Sequence, residues 1–132
     1  MMLSDVRAYI ASLKLADKVY MGKLDAKQGK SIGVYSSKHE HAYHTAIGGP
    51  ELESYGTKYV TLLVHWNKSS SDTEKAATAL FEAVRNTREV TINNKTIKFI
   101  QPLYEIQDVG TDDAGIYEMV IEAAVVFEKK GD

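Results

Sequence analysis

The chain has 132 residues, 44% of them hydrophobic and 26% charged, which predicts one globular domain (1–132) with a sizeable core. It has no cysteine, which excludes disulfide bonds and thiolate metal sites, and no apolar run long enough to cross a membrane. The formal net charge of −2 argues against specific nucleic-acid binding, which usually needs a basic excess. The first residues lack the basic and apolar regions of a secretory signal, so we expect a protein made in a cytoplasm.

The chain begins with a predicted helix over 4–14, in which Ser4 is the expected cap. Two short strands follow at 17–24 and 31–36, separated by a polar turn at 25–30. This arrangement is typical of a hairpin.

Residues 37–56 show no regular period and are too long for a simple connection. They contain aromatic and apolar residues, which argues against plain disorder. Gly48 and Gly49 precede Pro50, and this predicts a sharp turn. Loops of this length usually carry function on a rigid scaffold.

Regular elements resume with a strand at 57–66, and Ser71 with Glu74 forms a capping-box pattern before a helix over 72–86. Asn93, Asn94 and Lys95 predict a tight hairpin turn between 90–92 and 96–99. The second strand of this hairpin is expected to continue through 100–107, with Pro102 marking an edge or a bulge.

The last apolar segment, 116–127, has unbroken apolar residues at its odd positions, the period of a strand with one fully buried face. A Gly/Asp-rich turn at 109–115 precedes it. We predict an α+β fold with a mixed, mainly antiparallel sheet. The strands at 57–66 and 116–127 are expected at its centre, with both helices packed on one face.

Two groups of side chains have residue types found in metal sites. Zinc needs three or four well-supported ligands, so a solvated or interface loop is the favoured interpretation of the histidine cluster His39, His41 and His44 with Glu40. Asp108, Asp112 and Asp113 lack the spacing of a twelve-residue calcium loop, and we expect them to cap turns. The sequence therefore predicts no metal and no cofactor.

Catalytic motifs are also missing from the sequence. Gly29-Lys30-Ser31 lacks the earlier glycine of a phosphate-binding loop and leads into a strand. His65 is interpreted as a surface or hydrogen-bonded histidine, and no acid/base pair is visible. We predict that the protein is not an enzyme.

The order of the elements resembles the minor capsid, or tail-terminator, proteins of long-tailed phages and prophages of low-GC Gram-positive bacteria. The resemblance spans nearly the whole chain, and its segments are structural. They are Asp5–Ile10, Tyr20–Asp25, Ile32–Tyr35, Ala46–Gly49, Lys58–Trp66 and Val109–Glu118.

The resemblance implies a non-enzymatic virion protein, assembled in the cytoplasm of the bacterial host. Such a protein caps the finished tail tube at the head–tail joint. It forms an oligomeric ring, typically a hexamer, between a tail-tube protein and a head-connector protein.

Two alternatives to this function stay open. One is a small enzyme or metal-binding domain that uses the loop from His39 to His44, which dependence on metal would favour. The other is a ligand-binding α+β domain, which a deep apolar pocket would favour.

The sequence also yields a candidate assembly surface at 38–56. Its apolar and amphipathic residues would be costly to leave exposed as one patch, and interface cores favour tyrosine. The alternative is that this loop folds back over the open sheet face of its own subunit. The candidate interface residues are Tyr43, Ile47, Leu52 and Tyr55.

Overall fold

The computed structural model describes residues 1–22, 25, 27–37 and 55–129. Two helices and seven strands lie within these residues. In chain order they are α1 (Leu3–Ser12), β1 (Lys18–Met21), β2 (Ser31–Ser36), β3 (Tyr55–His65), α2 (Ser70–Arg85), β4 (Arg88–Ile92), β5 (Lys95–Pro102), β6 (Gln107–Thr111) and β7 (Tyr117–Glu128).

The strands form one mixed, mostly antiparallel sheet in the order β1-β2-β3-β7-β5-β4, with β6 also paired to β7. β3 pairs with β7 along its whole length, from Tyr55 opposite Glu128 to His65 opposite Glu118. β5 and β6 therefore share the other edge of β7, where they follow one another along the strand. The prediction that β3 and β7 are central is confirmed, as is the α+β fold.

One face of the sheet carries the core. On β7 the buried face comprises the odd positions, and the register places Val60, Leu62 and Val64 of β3 beside them. The buried residues of both helices belong to the same cluster, so both helices pack on this face, as predicted. The helical members of that cluster are Val6, Tyr9, Ile10, Ala77, Leu80 and Val84.

The predicted hairpin between the first two strands is wrong, because β1 and β2 pair in parallel, with Lys18 opposite Ser31 and Met21 opposite Val34. The connection must therefore return to the starting end of β1. Gly22, with φ of +79°, lies where β1 ends, and the amide of Asp17 donates to the carbonyl of Lys30 where β2 begins. Nine residues are enough for that return over a four-residue strand.

The helix starts also differ from the sequence predictions. Ser4 lies inside α1, and Asp5 in the first turn accepts a hydrogen bond from the backbone amide of Met2. In α2 the cap is Ser69 instead of Ser71, and its hydroxyl oxygen accepts from the amide of Asp72. The run of three serines offers three possible caps, and the chain uses the first.

The tight hairpin between β4 and β5 is confirmed, with Asn93 and Asn94 both at positive φ. The strand predicted through 100–107 ends at Pro102. After a short break β6 pairs with β7, so the first three residues of the predicted turn at 109–115 are strand, up to Thr111. The chain stays close to β7 across the break, where the amide of Leu103 donates to the carbonyl of Glu122.

Candidate assembly surface

The sheet face opposite the core is called the outer face here. It consists of the odd positions of β3 and the even positions of β7, together with the residues of β1, β2 and β5 that lie beside them in the paired strands. The face combines polar residues with aromatic and large aliphatic ones, and most of the latter are half-buried. The aromatic and large aliphatic residues are Tyr20, Tyr35, Tyr55, Tyr59, Leu63, Phe99, Val120 and Val126.

Tyr55 is the one predicted interface residue within the described part of the chain. Tyr43, Ile47 and Leu52 lie outside it, as does the histidine cluster of the metal hypothesis. Tyr55 begins β3 and is 50% exposed, and the Lys98 ammonium lies 5.7 Å from the centroid of its ring. The ring is therefore accessible yet held next to a cation, as suits an interface tyrosine.

The same end of the sheet contains a tight aromatic contact. Gly56 lies opposite Phe127, and a methyl group on Gly56 would come within 2.5 Å of the phenylalanine ring. The absence of a side chain at Gly56 lets the ring lie across the backbone of β3. Phe127, at an odd position of β7, is half-buried on the core side of the sheet, whereas Tyr55 lies on the outer face.

A buried carboxylate lies in the middle of the outer face. Glu122 is 6% exposed, and its oxygens accept hydrogen bonds from the hydroxyls of Thr61, at 2.9 Å, and Ser37, at 3.2 Å. Hydrogen bonds of this kind offset the cost of removing a carboxylate from water. Glu122 therefore links β7 to β3 and to Ser37, the residue that follows β2.

A second polar cluster surrounds His65, which is 1% exposed. Its Nδ1 is 2.8 Å from Glu118 Oε2, and its Nε2 is 3.8 Å from Asp112 Oδ2. The structure thus favours the hydrogen-bonded interpretation of His65 over the surface one. The three residues come from separate segments of the sequence, so no local motif could have identified the cluster.

Asp112 fixes the turn between β6 and β7. Its Oδ1 accepts from the amides of Ala114 and Ile116, both at 2.9 Å, while Gly115 has φ of +84°. The hydrogen bond from Ile116 is the largest cause of the lowered pKa of Asp112, which therefore stays ionised. Asp112 caps a turn as predicted, whereas Asp108 accepts from the amide of Gly110 inside β6, where the pairing register shifts.

Two observations on the described residues bear on the metal-binding and ligand-binding alternatives. Within 1–22, 25, 27–37 and 55–129, no three histidine or acidic side chains are grouped so that they would hold a metal ion. An open cleft of about 420 Å³ lies beside the end of α2, and Arg85 and Arg88 line it together with Phe81 and Tyr104. Its arginines make it unlike the deep apolar pocket expected of a ligand-binding domain.

No helix in the described part of the chain is both long enough and apolar enough to cross a membrane.

Comparison with known proteins supplies the remaining evidence. The model of a family described as bacteriophage tail terminator protein matches residues 9–129. No curated protein matches the chain. The matched range includes every described strand and α2, so it covers the outer face and the core together.

Proposed function

This chain belongs to the bacteriophage tail terminator family, and on that premise we propose that it is the subunit of a ring that caps the finished tail tube. We propose a hexamer, the ring size that the resemblance implies, with a tail-tube protein on one side and a head-connector protein on the other. The role is structural and non-enzymatic. The subunit is made in the cytoplasm of the bacterial host and becomes part of the virion. The same role is proposed whether the gene belongs to a phage or to a prophage.

The family match over 9–129 is the observation that carries this proposal. The outer face supports it physically, because tyrosines and aliphatic side chains on a rigid sheet provide the anchors that protein interfaces favour. Tyr55, half-exposed at one end of that face, is part of the proposed assembly surface.

Assembly of the purified protein tests the ring directly. We expect light scattering after size exclusion to show a concentration-dependent oligomer, and negative-stain microscopy to show rings. A phage that lacks the gene should regain normal tail length only when supplied with the assembling protein. A chain that stays monomeric alone and with tail tubes, and that fails to restore tails, would contradict the proposal.

We further propose that residues 38–56, with Tyr43, Ile47, Leu52 and Tyr55, form part of the assembly surface. Replacing 40–54 by a short Gly/Ser linker distinguishes this idea from a loop that covers its own subunit. On the assembly hypothesis the variant stays folded and no longer forms rings. On the covering hypothesis it loses its cooperative unfolding transition, and normal assembly of a folded variant would contradict both.

The metal-binding alternative is tested by the melting temperature. A bound ion would stabilise the fold by mass action. We expect stoichiometric zinc or nickel to leave the melting temperature unchanged, whereas a rise of many degrees would revive that alternative.

A further inference from the structure

The described sheet has two open edges at one end of the molecule. Near this end, five strands lie side by side, and the residues that face one another across them are Lys18, Ser31, His65, Glu118 and Gly110. β1 forms one edge of this row and β6 the other, four strand spacings or roughly 19 Å apart. Within the described residues, each of these two strands pairs with one other strand only.

The β6 edge is acidic and exposed. All five of its residues are exposed to solvent, and Val109 at its centre is 52% exposed. The surrounding sequence from 99 to 128 has no lysine or arginine. The carboxylates on β6 and in the segments that border it are Glu105, Asp108, Asp112, Asp113 and Glu118.

The β1 edge has the opposite charge. Lys18 on β1 and Lys14 just before it are both exposed, with one aspartate, Asp17, beside them. The Arg7 side chain adds positive charge here, because its Nε donates to the carbonyl of Val19 at 3.1 Å. Met21 ends β1 and is 53% exposed, so both edges combine charge with one exposed apolar side chain.

The acidic edge is also held in shape before any partner binds. Asp112 closes the turn that joins β6 to β7, and the amide and carbonyl of Tyr117 bond to Asn67 and Trp66. A preorganised edge loses little conformational freedom on binding. It is therefore suited to contact another protein without rearrangement.

We propose that the β6 edge of one copy of this chain binds the β1 edge of the next copy, in the antiparallel sense. This inference rests on the proposed ring and identifies its repeating contact. The strand directions agree, because β1 is parallel to β2 and each further step from β2 through β3 and β7 to β6 is antiparallel. Successive copies laid side by side therefore meet through strands of opposite direction.

The charges favour a ring over a two-fold dimer. A contact between two different edges is heterologous, and such contacts close into rings when the rotation between copies allows it. Two β6 edges facing each other would bring carboxylates together, and this repulsion opposes a two-fold contact. Opposite charges on β6 and β1 guide the correct pairing.

Substitutions that change the charge of one edge or of both test the contact. Val109→Lys and Lys18→Glu each place like charges across it, so each should raise the concentration needed for half-assembly at least tenfold. The double variant Val109→Lys/Lys18→Glu should restore assembly. Lys75→Glu on the exposed side of α2 is the matched control and should assemble like the unaltered chain. Melting curves by circular dichroism check that each variant is folded.

Crosslinking tests proximity independently of affinity, because the chain has no cysteine of its own. With Met21→Cys and Val109→Cys in one chain, a bismaleimide shorter than the roughly 19 Å between the edges can join only neighbouring copies. We expect a ladder of covalent oligomers. The control is Met2→Cys with Val109→Cys. It puts one thiol at the exposed position before α1, away from the β1 edge, and should give monomers.

The results of these experiments distinguish a failure of the proposed edge contact from a failure of the proposed ring. Rings that form normally in both single charge variants and give no ladder would overturn the edge contact and leave the proposed function standing. Monomers at every concentration, with no ladder and no restoration of tails, would overturn both.

Discussion

At the scale of single residues, Asp5 joins α1 to the β4–β5 hairpin. Its carboxylate is 5% exposed and accepts hydrogen bonds from Lys95 Nζ at 2.8 Å and Asn93 Nδ2 at 2.9 Å. Burial alone would raise the pKa of Asp5, but the hydrogen bonds from Lys95, Asn93 and the Met2 amide outweigh it and lower the pKa from 3.8 to about 2.

We therefore expect Asp5→Asn to reduce the free energy of unfolding by about 2 kcal/mol at pH 7. Because the folded pKa lies below the unfolded one, this stabilisation is present above about pH 4 and disappears as the pH falls toward 2. Urea unfolding across this pH range measures it, and exposed Asp17→Asn is the control. An equal loss at pH 2 and pH 7 would contradict the assignment.

Asp112 determines the local order of the β6–β7 turn. We expect Asp112→Ala to speed hydrogen exchange at the amides of Ala114 and Ile116, because both lose their acceptor. Asp113→Ala, one residue along and exposed, should leave both rates unchanged. Unaltered protection in Asp112→Ala would show that the backbone alone holds the turn.

At the scale of elements, β7 contributes most to the core. Ile121 is fully buried at its middle, between β3 and the break that separates β5 from β6. Ile121→Ala should cost about 2–5 kcal/mol of unfolding free energy, through lost burial and the cavity left behind. Val109→Ala on β6 should change it by less than about 0.5 kcal/mol. Equal losses in a denaturant titration would mean that β6 packs more closely than its exposure indicates.

The elements also show what the sequence could predict. β7 and β3 were predictable because a strand with one buried face leaves a period of two in its own residues. The parallel pairing of β1 with β2 was not, since strand direction depends on how the connection returns. β6 escaped detection because all its residues are exposed, so it has no apolar alternation.

The candidate site was predictable only in part, for a related reason. Tyr55 was chosen as a candidate because the sequence around it shows no regular period and contains aromatic residues; the structure places it at the start of β3, and its role in assembly stays a prediction. The clusters around His65 and Glu122 were not found, because β3 and β7 bring together residues that are far apart in sequence. Their pairing depends on the long-range register, which no local pattern specifies.

For the protein as a whole, the net charge predicts weak affinity for duplex DNA. If the genome passes through the proposed ring, a lumen without basic excess would let it slide. With a net charge of −2, the isolated protein should show no tight binding to duplex DNA in fluorescence anisotropy between 50 and 200 mM salt. Strong binding that weakens steeply with salt would contradict this.

The position of β7 in the chain has a consequence for synthesis. It is the last described element to leave the ribosome, yet β3, β5 and β6 all pair with it. Until it emerges, β3 lacks the neighbour that lies along its whole length, and the pairing that follows joins distant residues, which is slow. A nascent chain therefore cannot complete its sheet before β7 has emerged.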